Sequence, residues 1–476
     1  MDHFKGVRPR NATIVSNDAM FVGSIAIRDG IIVALGQDEG MPDAMETLDA
    51  RGKYVLPGAI DVHVHFREPG FSHKETWESG TASAAMGGVT TVFEMPNTKP
   101  PTRDLETLNL KLKAASSAYV DFGIYGLLGE DNLHELENLI EGGVAGFKCF
   151  MGNTFANLPS PPTGAMLEGF EIVAKHGYRI ALHAENASIM ARRQLALQAC
   201  GRCDPLAHLA ARPPVVAVEA VSRAAILAEW TGARIHILHV SSGDELRPLR
   251  EAKLRGVDIT AETCPHYLLL DETAYTDVGS VVRVNPPVRE KVHQDQLWAA
   301  VQDGTIDMIA TDHAPHAKDE KRNVDIWSAD CGFTGVETQM PLMLTQVAAG
   351  RLSLNDYVRM TSTAPAKAFG LYPRKGALLP GSDADIVVID MDREGAVDEE
   401  VLQSLGSSTP FHNHPIKGVP LHTIVRGRFV MKDRQLVTSA RGHGLNVRRV
   451  QKMPTPTPRN TQHTTAAITG NFVARP

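Results

Sequence analysis

The sequence predicts an α/β protein in which a (β/α)₈ barrel of the TIM type is joined to a small β-sandwich domain. Eight short apolar runs rich in Val, Ile and Thr, with amphipathic helical patterns between most of them, predict the barrel. Short alternating runs near both ends of the chain predict the sandwich.

The eight predicted barrel strands are bounded by Gly, Pro or charged residues, as buried parallel strands usually are. They are Ala59–His65, Val89–Glu94, Val120–Leu127, Val144–Met151, Arg179–Glu185, Arg234–Val240, Asp258–Thr263 and Ile306–Thr311. Val215–Trp230 and Asp244–Arg255 are the clearest helical patterns between strands. This alternation places the barrel in residues 59–370.

The flanking regions 1–58 and 371–440 are each too short to make a comfortable domain alone. We therefore expect them to combine into one β-sandwich. The strand-like runs are Ala12–Ser16, Ser24–Arg28, Gly30–Leu35, Ala384–Asp390, His422–Arg426 and Arg428–Met431.

The last segment, residues 441–476, carries six Lys or Arg residues, no Asp or Glu, and a Pro/Thr-rich stretch. This composition predicts an extended or disordered basic tail. An arm that lies across an acidic neighbouring subunit is the alternative.

Composition limits the class of protein. With 43% hydrophobic and 22% charged residues among 476, the chain has ample material for a core. It has no apolar run of the roughly 18 residues that a membrane-spanning helix needs, and its start lacks a secretory h-region. Five cysteines favour a cytoplasmic location, and a net charge of −7 argues against nucleic-acid binding.

Polar side chains at the ends of the barrel strands predict a metal centre. His63 and His65 lie two apart on the first strand and therefore point the same way. His183, His239 and Asp312 close the fifth, sixth and eighth strands. Because active sites of such barrels lie at the carboxyl ends of the strands, we expect these five side chains to converge.

Lys148 lies in an apolar strand, where an ammonium ion is costly to bury. It is either one half of a buried ion pair or a neutral amine that reacts with CO₂ to give a carbamate. A carbamate could bridge two metal ions and, with Asp312, neutralise part of their charge. Imidazole and oxygen ligands suit Zn²⁺, with Mn²⁺ or Co²⁺ as alternatives.

Two such ions could share a bridging water, lower its pKa toward neutrality and polarise a carbonyl group. Asp312 could then accept the proton of that water and deliver it to a leaving nitrogen. The chemistry predicted is hydrolysis of a cyclic amide.

The segment Asp61–Gly70, together with Lys148, His183, His239 and Asp312, resembles the cyclic amidohydrolases of the dihydroorotase, hydantoinase and allantoinase group. The resemblance extends to about residue 440 and implies two zinc ions per chain. It implies that His63, His65 and Asp312 hold the more buried ion, that His183 and His239 hold the other, and that carboxylated Lys148 bridges them. It also implies a homo-oligomer, a dimer or a tetramer.

The finer motifs resemble dihydroorotase, which interconverts L-dihydroorotate and N-carbamoyl-L-aspartate in pyrimidine biosynthesis. Residues matching Arg67, Asn97 and His316 hold the substrate carboxylate in that family, and the residue matching Asn285 contacts the ring. Thr154 matches a loop that closes over substrate.

Other motifs are more similar to allantoinases and hydantoinases, namely the sequence around Lys148, Glu94 and the long tail. The alternative substrate is therefore allantoin, a hydantoin or a dihydropyrimidine. A non-catalytic scaffold homologue is a further alternative, which the retention of all six ligand positions disfavours.

Overall fold

A computed structural model describes residues 4–152, 158–322 and 325–448. Its strands are β1 (Phe4–Arg10), β2 (Ala12–Val15), β3 (Met20–Arg28), β4 (Ile31–Gly36), β5 (Ala44–Asp49), β6 (Tyr54–Pro57), β7 (Ala59–Val64), β8 (Val89–Glu94), β9 (Asp121–Leu127), β10 (Gly146–Phe150), β11 (Arg179–His183), β12 (Arg234–Ile237), β13 (Ile259–Thr263), β14 (Met308–Ile309), β15 (Ile386–Ala396), β16 (Pro415–Val425), β17 (Arg428–Lys432) and β18 (Gln435–Leu436). Its α-helices are α1 (Trp77–Met86), α2 (Leu105–Ala114), α3 (Leu136–Gly142), α4 (Thr163–Lys175), α5 (Ala187–Ala199), α6 (Pro205–Ala211), α7 (Val215–Thr231), α8 (Leu246–Leu254), α9 (Pro265–Leu269), α10 (Ala274–Asp277), α11 (Lys291–Gln302), α12 (Lys318–Lys321), α13 (Gln339–Ala348), α14 (Leu354–Val358) and α15 (Ala364–Ala368).

Strands β7 to β14 form the barrel. Each strand pairs in parallel with the next in chain order. A parallel bridge between Val64 and His313 joins the first strand to the residues that follow the last, so the ring is nearly closed. All eight predicted strands are present, and the predicted fold class is confirmed.

Aromatic side chains fill the amino-terminal end of the barrel. Phe369, which follows α15, lies 4.8 Å from Phe93 and 6.0 Å from Tyr125, measured between ring centroids. All three side chains are buried in one apolar cluster with Ile60 and Val62. The active sites of such barrels lie at the carboxyl ends of the strands, at the other end of the barrel from this cluster.

The second domain is an eight-stranded sheet in the order β18-β17-β16-β15-β6-β2-β3-β4. Its strands are antiparallel neighbours except for β2 and β6, which run in parallel. A two-stranded sheet of β1 and β5 lies against β3. Strands from both ends of the chain thus build one β-sheet domain, as predicted, although its second layer has only two strands.

The first part of the predicted tail, residues 441–448, runs beside the start of β9. The amide of Phe122 donates to the carbonyl of Leu445 at 3.0 Å, and the amide of Val447 donates to that of Phe122 at 2.9 Å. Val447 is buried in the cluster that closes the barrel. The rest of the tail lies outside the described residues, and the domain limits at 58, 370 and 440 stay predictions.

None of the helices in the described ranges combines the length and the apolar character that crossing a bilayer requires.

Candidate metal centre

A pocket of about 400 Å³ opens at the carboxyl ends of the barrel strands. Its wall combines side chains predicted as metal ligands with others predicted to contact substrate. The lining residues are His63, His65, Arg67, Asn97, Lys148, Phe150, His183, His239, Val284, Asn285, Asp312, Ala314, Cys331 and Gly332. The strand order therefore brings together all six predicted ligands, which are up to 249 positions apart.

His63, His65 and Asp312 form the tightest group in this pocket. The Oδ1 atom of Asp312 lies 3.1 Å from Nε2 of His63 and 3.1 Å from Nε2 of His65. All three side chains are buried, and burial raises the pKa of Asp312 to about 6. Three donor atoms this close together, two of them imidazole nitrogens, suit a divalent ion such as Zn²⁺.

His183 and His239 form a second pair in the same pocket. Nδ1 of His183 lies 2.9 Å from Nε2 of His239. His239 also lies 5.2 Å from His63 between ring centroids, which connects the two pairs of histidines.

Backbone geometry at the site is unusual. His239, Asp312 and Arg67 have positive φ angles of 40°, 49° and 63°. Residues other than Gly seldom adopt this conformation, and such strain concentrates at functional sites. All three residues follow directly or closely after barrel strands and line the pocket.

Three of the four histidines have their second ring nitrogen held by an acceptor. Nδ1 of His63 lies 2.6 Å from Oε1 of Glu262, and Nδ1 of His65 lies 2.7 Å from Oδ1 of Asn97. Nε2 of His183 lies 3.0 Å from Oε2 of Glu185.

An acceptor at one ring nitrogen fixes the tautomer and leaves the other nitrogen as a lone-pair donor, which is the usual arrangement around a bound metal ion. The donor set therefore fits two divalent ions, with His63, His65 and Asp312 at one position and His183 and His239 at the other.

Lys148 lies on β10, lines the same pocket as these two groups and is 1% exposed. Its Nζ atom lies 4.6 Å from the centre of the Phe150 ring, and no ion pair to it occurs within the described ranges. Burial lowers the pKa of Lys148 to about 7, against the opposing attraction of Asp312 and Glu262. A buried amine of this kind is neutral enough to act as a nucleophile at neutral pH.

Arg67 lines the pocket beside the histidines. Its Nε atom donates to the carbonyl of Pro315 at 3.2 Å, and its Nη2 atom lies 3.0 Å from Nε2 of His316. His316 is fully buried and contacts Arg67, Lys74 and Asp330. It is not among the residues that line the pocket, and its contact with substrate stays a prediction.

The other predicted substrate contacts divide into three cases. Asn97 and Asn285 both line the pocket. Asn97 also holds His65, whereas Oδ1 of Asn285 is buried without a hydrogen-bond partner among the described residues. Thr154 lies outside the described residues.

Sequence reasoning did not identify Glu262 as part of the site. Besides His63, this fully buried carboxylate accepts a hydrogen bond from the amide of His239 at 3.2 Å and lies 2.9 Å from Nε2 of His236. A charged residue inside an apolar strand was the available signal, the same signal that singled out Lys148.

Two other groups of potential ligands surround a lysine. Nζ of Lys74 lies 2.6 Å from Asp330, 2.8 Å from Glu320 and 2.9 Å from Nδ1 of His316. Lys375 lies in the same way among three aspartates. Because an ammonium nitrogen already lies within 3.0 Å of every member of each group, we assign neither group to a metal ion.

Comparison with known proteins supports this chemistry. The model of the amidohydrolase family matches residues 54–430. The L-hydantoinase of Paenarthrobacter aurescens is 36% identical over 427 residues, which cover 88% of this chain and 93% of that protein. The allantoinase of Rubrobacter xylanophilus is 37% identical over 441 residues, which cover 91% and 96%.

Solved structures agree with the sequence relatives. A structure of L-hydantoinase (dihydropyrimidinase) from Arthrobacter aurescens matches with a TM-score of 0.90 at 35% identity, covering 93% of this chain and 99% of that chain. Dihydropyrimidinase from Brevibacillus agri matches with a TM-score of 0.86 at 31% identity, covering 93% and 98%. These names favour the hydantoinase and allantoinase alternative over dihydroorotase, the main prediction from the sequence.

Proposed function

Since the chain belongs to the amidohydrolase family and is a hydrolase of cyclic amides, we propose that its substrates are cyclic ureides of the hydantoin and allantoin type. The observation that carries this proposal is the meeting of four histidines, Asp312 and Lys148 in one pocket at the carboxyl end of the barrel. Relatives named hydantoinase and allantoinase supply the substrate class.

The chain's donor set suits two divalent ions, most simply Zn²⁺, with Mn²⁺ or Co²⁺ as alternatives. We propose that the neutral amine of Lys148 adds CO₂ and releases a proton to form a carbamate, which would bridge the two ions. Lys148 lines the same pocket as both histidine pairs and has no ion pair in the described residues. When bound, such ions activate water and polarise a carbonyl group.

Asp312 is the proton carrier in this proposal. Its Oδ1 atom lies at the pocket wall beside His63 and His65, where it can accept a proton from the attacking water. The same carboxyl group then donates that proton to the ring nitrogen as the C–N bond breaks. The product is an open-chain carbamoyl compound.

A second candidate is a ring that carries a carboxylate, as dihydroorotate does. Arg67 favours it, because this guanidinium lies at the pocket wall and is 1% exposed. The planar guanidinium group suits a carboxylate, and contact with His316 from behind keeps Arg67 in place.

A side-by-side assay tests both candidates. The purified protein, supplied with Zn²⁺ and bicarbonate, is assayed on hydantoin, allantoin, dihydrouracil and dihydroorotate, with Asp312→Asn as the matched inactive control. We expect kcat/KM for hydantoin or allantoin to exceed that for dihydroorotate. A preference for dihydroorotate that Arg67→Gln removes would establish the second candidate instead. Equal turnover by Asp312→Asn would refute the proton-carrier role.

A further inference from the structure

A second pocket, of about 290 Å³, lies at the opposite end of the barrel from the metal centre. We call it the lower pocket. Arg179 and Arg234, the first residues of β11 and β12, contribute to its wall, together with Phe369, Tyr178 and Arg448. It therefore opens where β11 and β12 begin, whereas His183 and His239 lie at the other ends of these two strands.

The lower pocket carries an excess of positive charge. Three guanidinium groups line it, and Asp258 is the one carboxylate that pairs with any of them in the described residues. Asp258 lies 2.7 Å from Nη2 of Arg179 and 2.9 Å from Nε of Arg234, and its own side chain is half exposed. One carboxylate shared by two arginines leaves the pocket able to accept an anion.

Arg448 has no acidic partner in the part of the chain that the structure describes. Its Nη2 atom donates to the carbonyl of Phe369, and its guanidinium lies 5.4 Å from the centre of the Tyr178 ring. Its Nε atom is buried and has no hydrogen-bond partner among the described residues. The guanidinium as a whole is half-buried at the pocket wall, and an anion in the pocket would supply the negative charge that it lacks.

Arg179 has a different task. Nε donates to the carbonyl of Ala368 at 3.0 Å and Nη1 to that of Ile235 at 2.7 Å, and the residue is 4% exposed. The donors of Arg179 are thus already hydrogen-bonded to backbone carbonyl groups. Arg234 and Arg448, both half-buried, remain as the groups that could contact a ligand directly.

We propose that the lower pocket binds a compact oxyanion with two negative charges, of the phosphate class, between Arg234 and Arg448. Guanidinium groups form paired, charge-assisted hydrogen bonds with such oxygens, and the enclosed position excludes much of the screening by solvent. This site is separate from the metal centre, because the two pockets share no residue and lie at opposite ends of the barrel.

Isothermal titration calorimetry with inorganic phosphate tests the proposal on the zinc-loaded full-length protein, with NaCl added to constant ionic strength. We compare the wild type with Arg448→Gln and Arg234→Gln. Arg441→Gln is the matched control, since Arg441 is exposed, pairs with Glu78 at 2.8 Å and does not line the lower pocket. We expect each pocket variant to weaken phosphate binding at least about tenfold, the loss expected for one charge-assisted contact, and the control to leave it unchanged.

Phosphate held only by the zinc ions would bind Arg448→Gln and Arg234→Gln as tightly as the wild type, and that result would overturn the proposal. So would an absence of binding at millimolar phosphate, or an equal weakening in Arg441→Gln, which would indicate a general effect of net charge. Circular dichroism shows whether each variant is folded, and Arg234→Gln keeps the test decisive if Arg448→Gln is not.

Discussion

Two lysines of this protein are equally buried and have opposite surroundings. Lys148, in the barrel pocket, and Lys375, between the barrel and the β-sheet domain, are each 1% exposed. Nζ of Lys375 lies 2.7 Å from Asp121, 3.0 Å from Asp383 and 2.5 Å from Asp385. Lys148 has no such partner in the described ranges and lies among histidines.

The surroundings move the two pKa values in opposite directions. Burial lowers the pKa of Lys148 to about 7. Burial also acts to lower the pKa of Lys375, but the carboxylates of Asp385 and Asp121 outweigh it and raise that pKa above its ordinary value. Burial alone therefore does not mark a reactive lysine. The charges around the amine decide whether it is neutral and reactive or charged and held in ion pairs.

The largest expected effect is on Lys148→Ala. If the amine is the source of a bridging carbamate, its loss should lower kcat/KM about 1000-fold, corresponding to about 4 kcal/mol of transition-state stabilisation, and lower the metal content as well. Added acetate or propionate should restore part of the activity by supplying a carboxylate. Steady-state kinetics and elemental analysis measure both effects.

The matched control for Lys148 is Lys175→Ala, at the exposed end of α4, which should change neither activity nor metal content. Full activity of Lys148→Ala would show that the amine has no part in the reaction. Lys148 would then have only a structural role, like Lys375.

Much of this arrangement follows from the sequence. The eight barrel strands were predictable because each combines an apolar run with bounding turns, and the rule that sites lie at carboxyl ends then brings His63, His183 and Asp312 together. Lys148 was visible as a charge in an apolar strand. These signals are local in the sequence, and the barrel topology determines where the residues that carry them lie in the fold.

What could not be predicted depends on pairing between distant residues. Asp383 and Asp385 lie within 10 positions of Lys375, but Asp121 is 254 positions away, and nothing near Asp121 in the chain indicates that it will meet them. The same holds for Glu262, which contacts His63 across 199 positions. The docking of residues 441–448 beside β9 was missed because their composition predicts no partner.

The second effect is on stability. Lys375→Met removes the cation that three carboxylates share; Asp121 keeps Arg426 and Asp383 keeps Arg374, whereas Asp385 loses its ion pair. Breaking a buried ion pair in this way costs about 3–5 kcal/mol. Urea denaturation should show this loss in the free energy of unfolding, while the metal content of the folded protein is unchanged. The matched control is Lys367→Met, at an exposed position on the nearby α15. It should change the free energy of unfolding by less than about 0.5 kcal/mol. Equal stability of the two variants would mean that the aspartates do not depend on Lys375.

The smallest effect concerns a third buried lysine, which lies between the two extremes. Among the described residues, Lys111 on α2 has a single carboxylate partner, Glu94, and it also donates to the carbonyl of Met95 at 2.7 Å. Burial raises the pKa of Glu94 to about 7 even with Lys111 beside it. After Lys111→Met, Glu94 can therefore take up a proton in the folded state and avoid a buried unpaired charge.

This proton uptake makes the cost of Lys111→Met depend on pH. A carboxyl group whose folded-state pKa is raised above its unfolded value binds more protons in the folded state, so stability falls as the pH rises toward and through that raised pKa. We expect Lys111→Met to lose about 1 kcal/mol at pH 6 and about 2–3 kcal/mol at pH 8.5, relative to the wild type. The double variant Lys111→Met/Glu94→Gln has no charge to bury, so its free energy of unfolding should fall less between pH 6 and pH 8.5 than that of Lys111→Met. Urea denaturation at both pH values measures these free energies of unfolding. An equal loss for Lys111→Met at pH 6 and pH 8.5 would show that protonation of Glu94 does not offset the loss of Lys111.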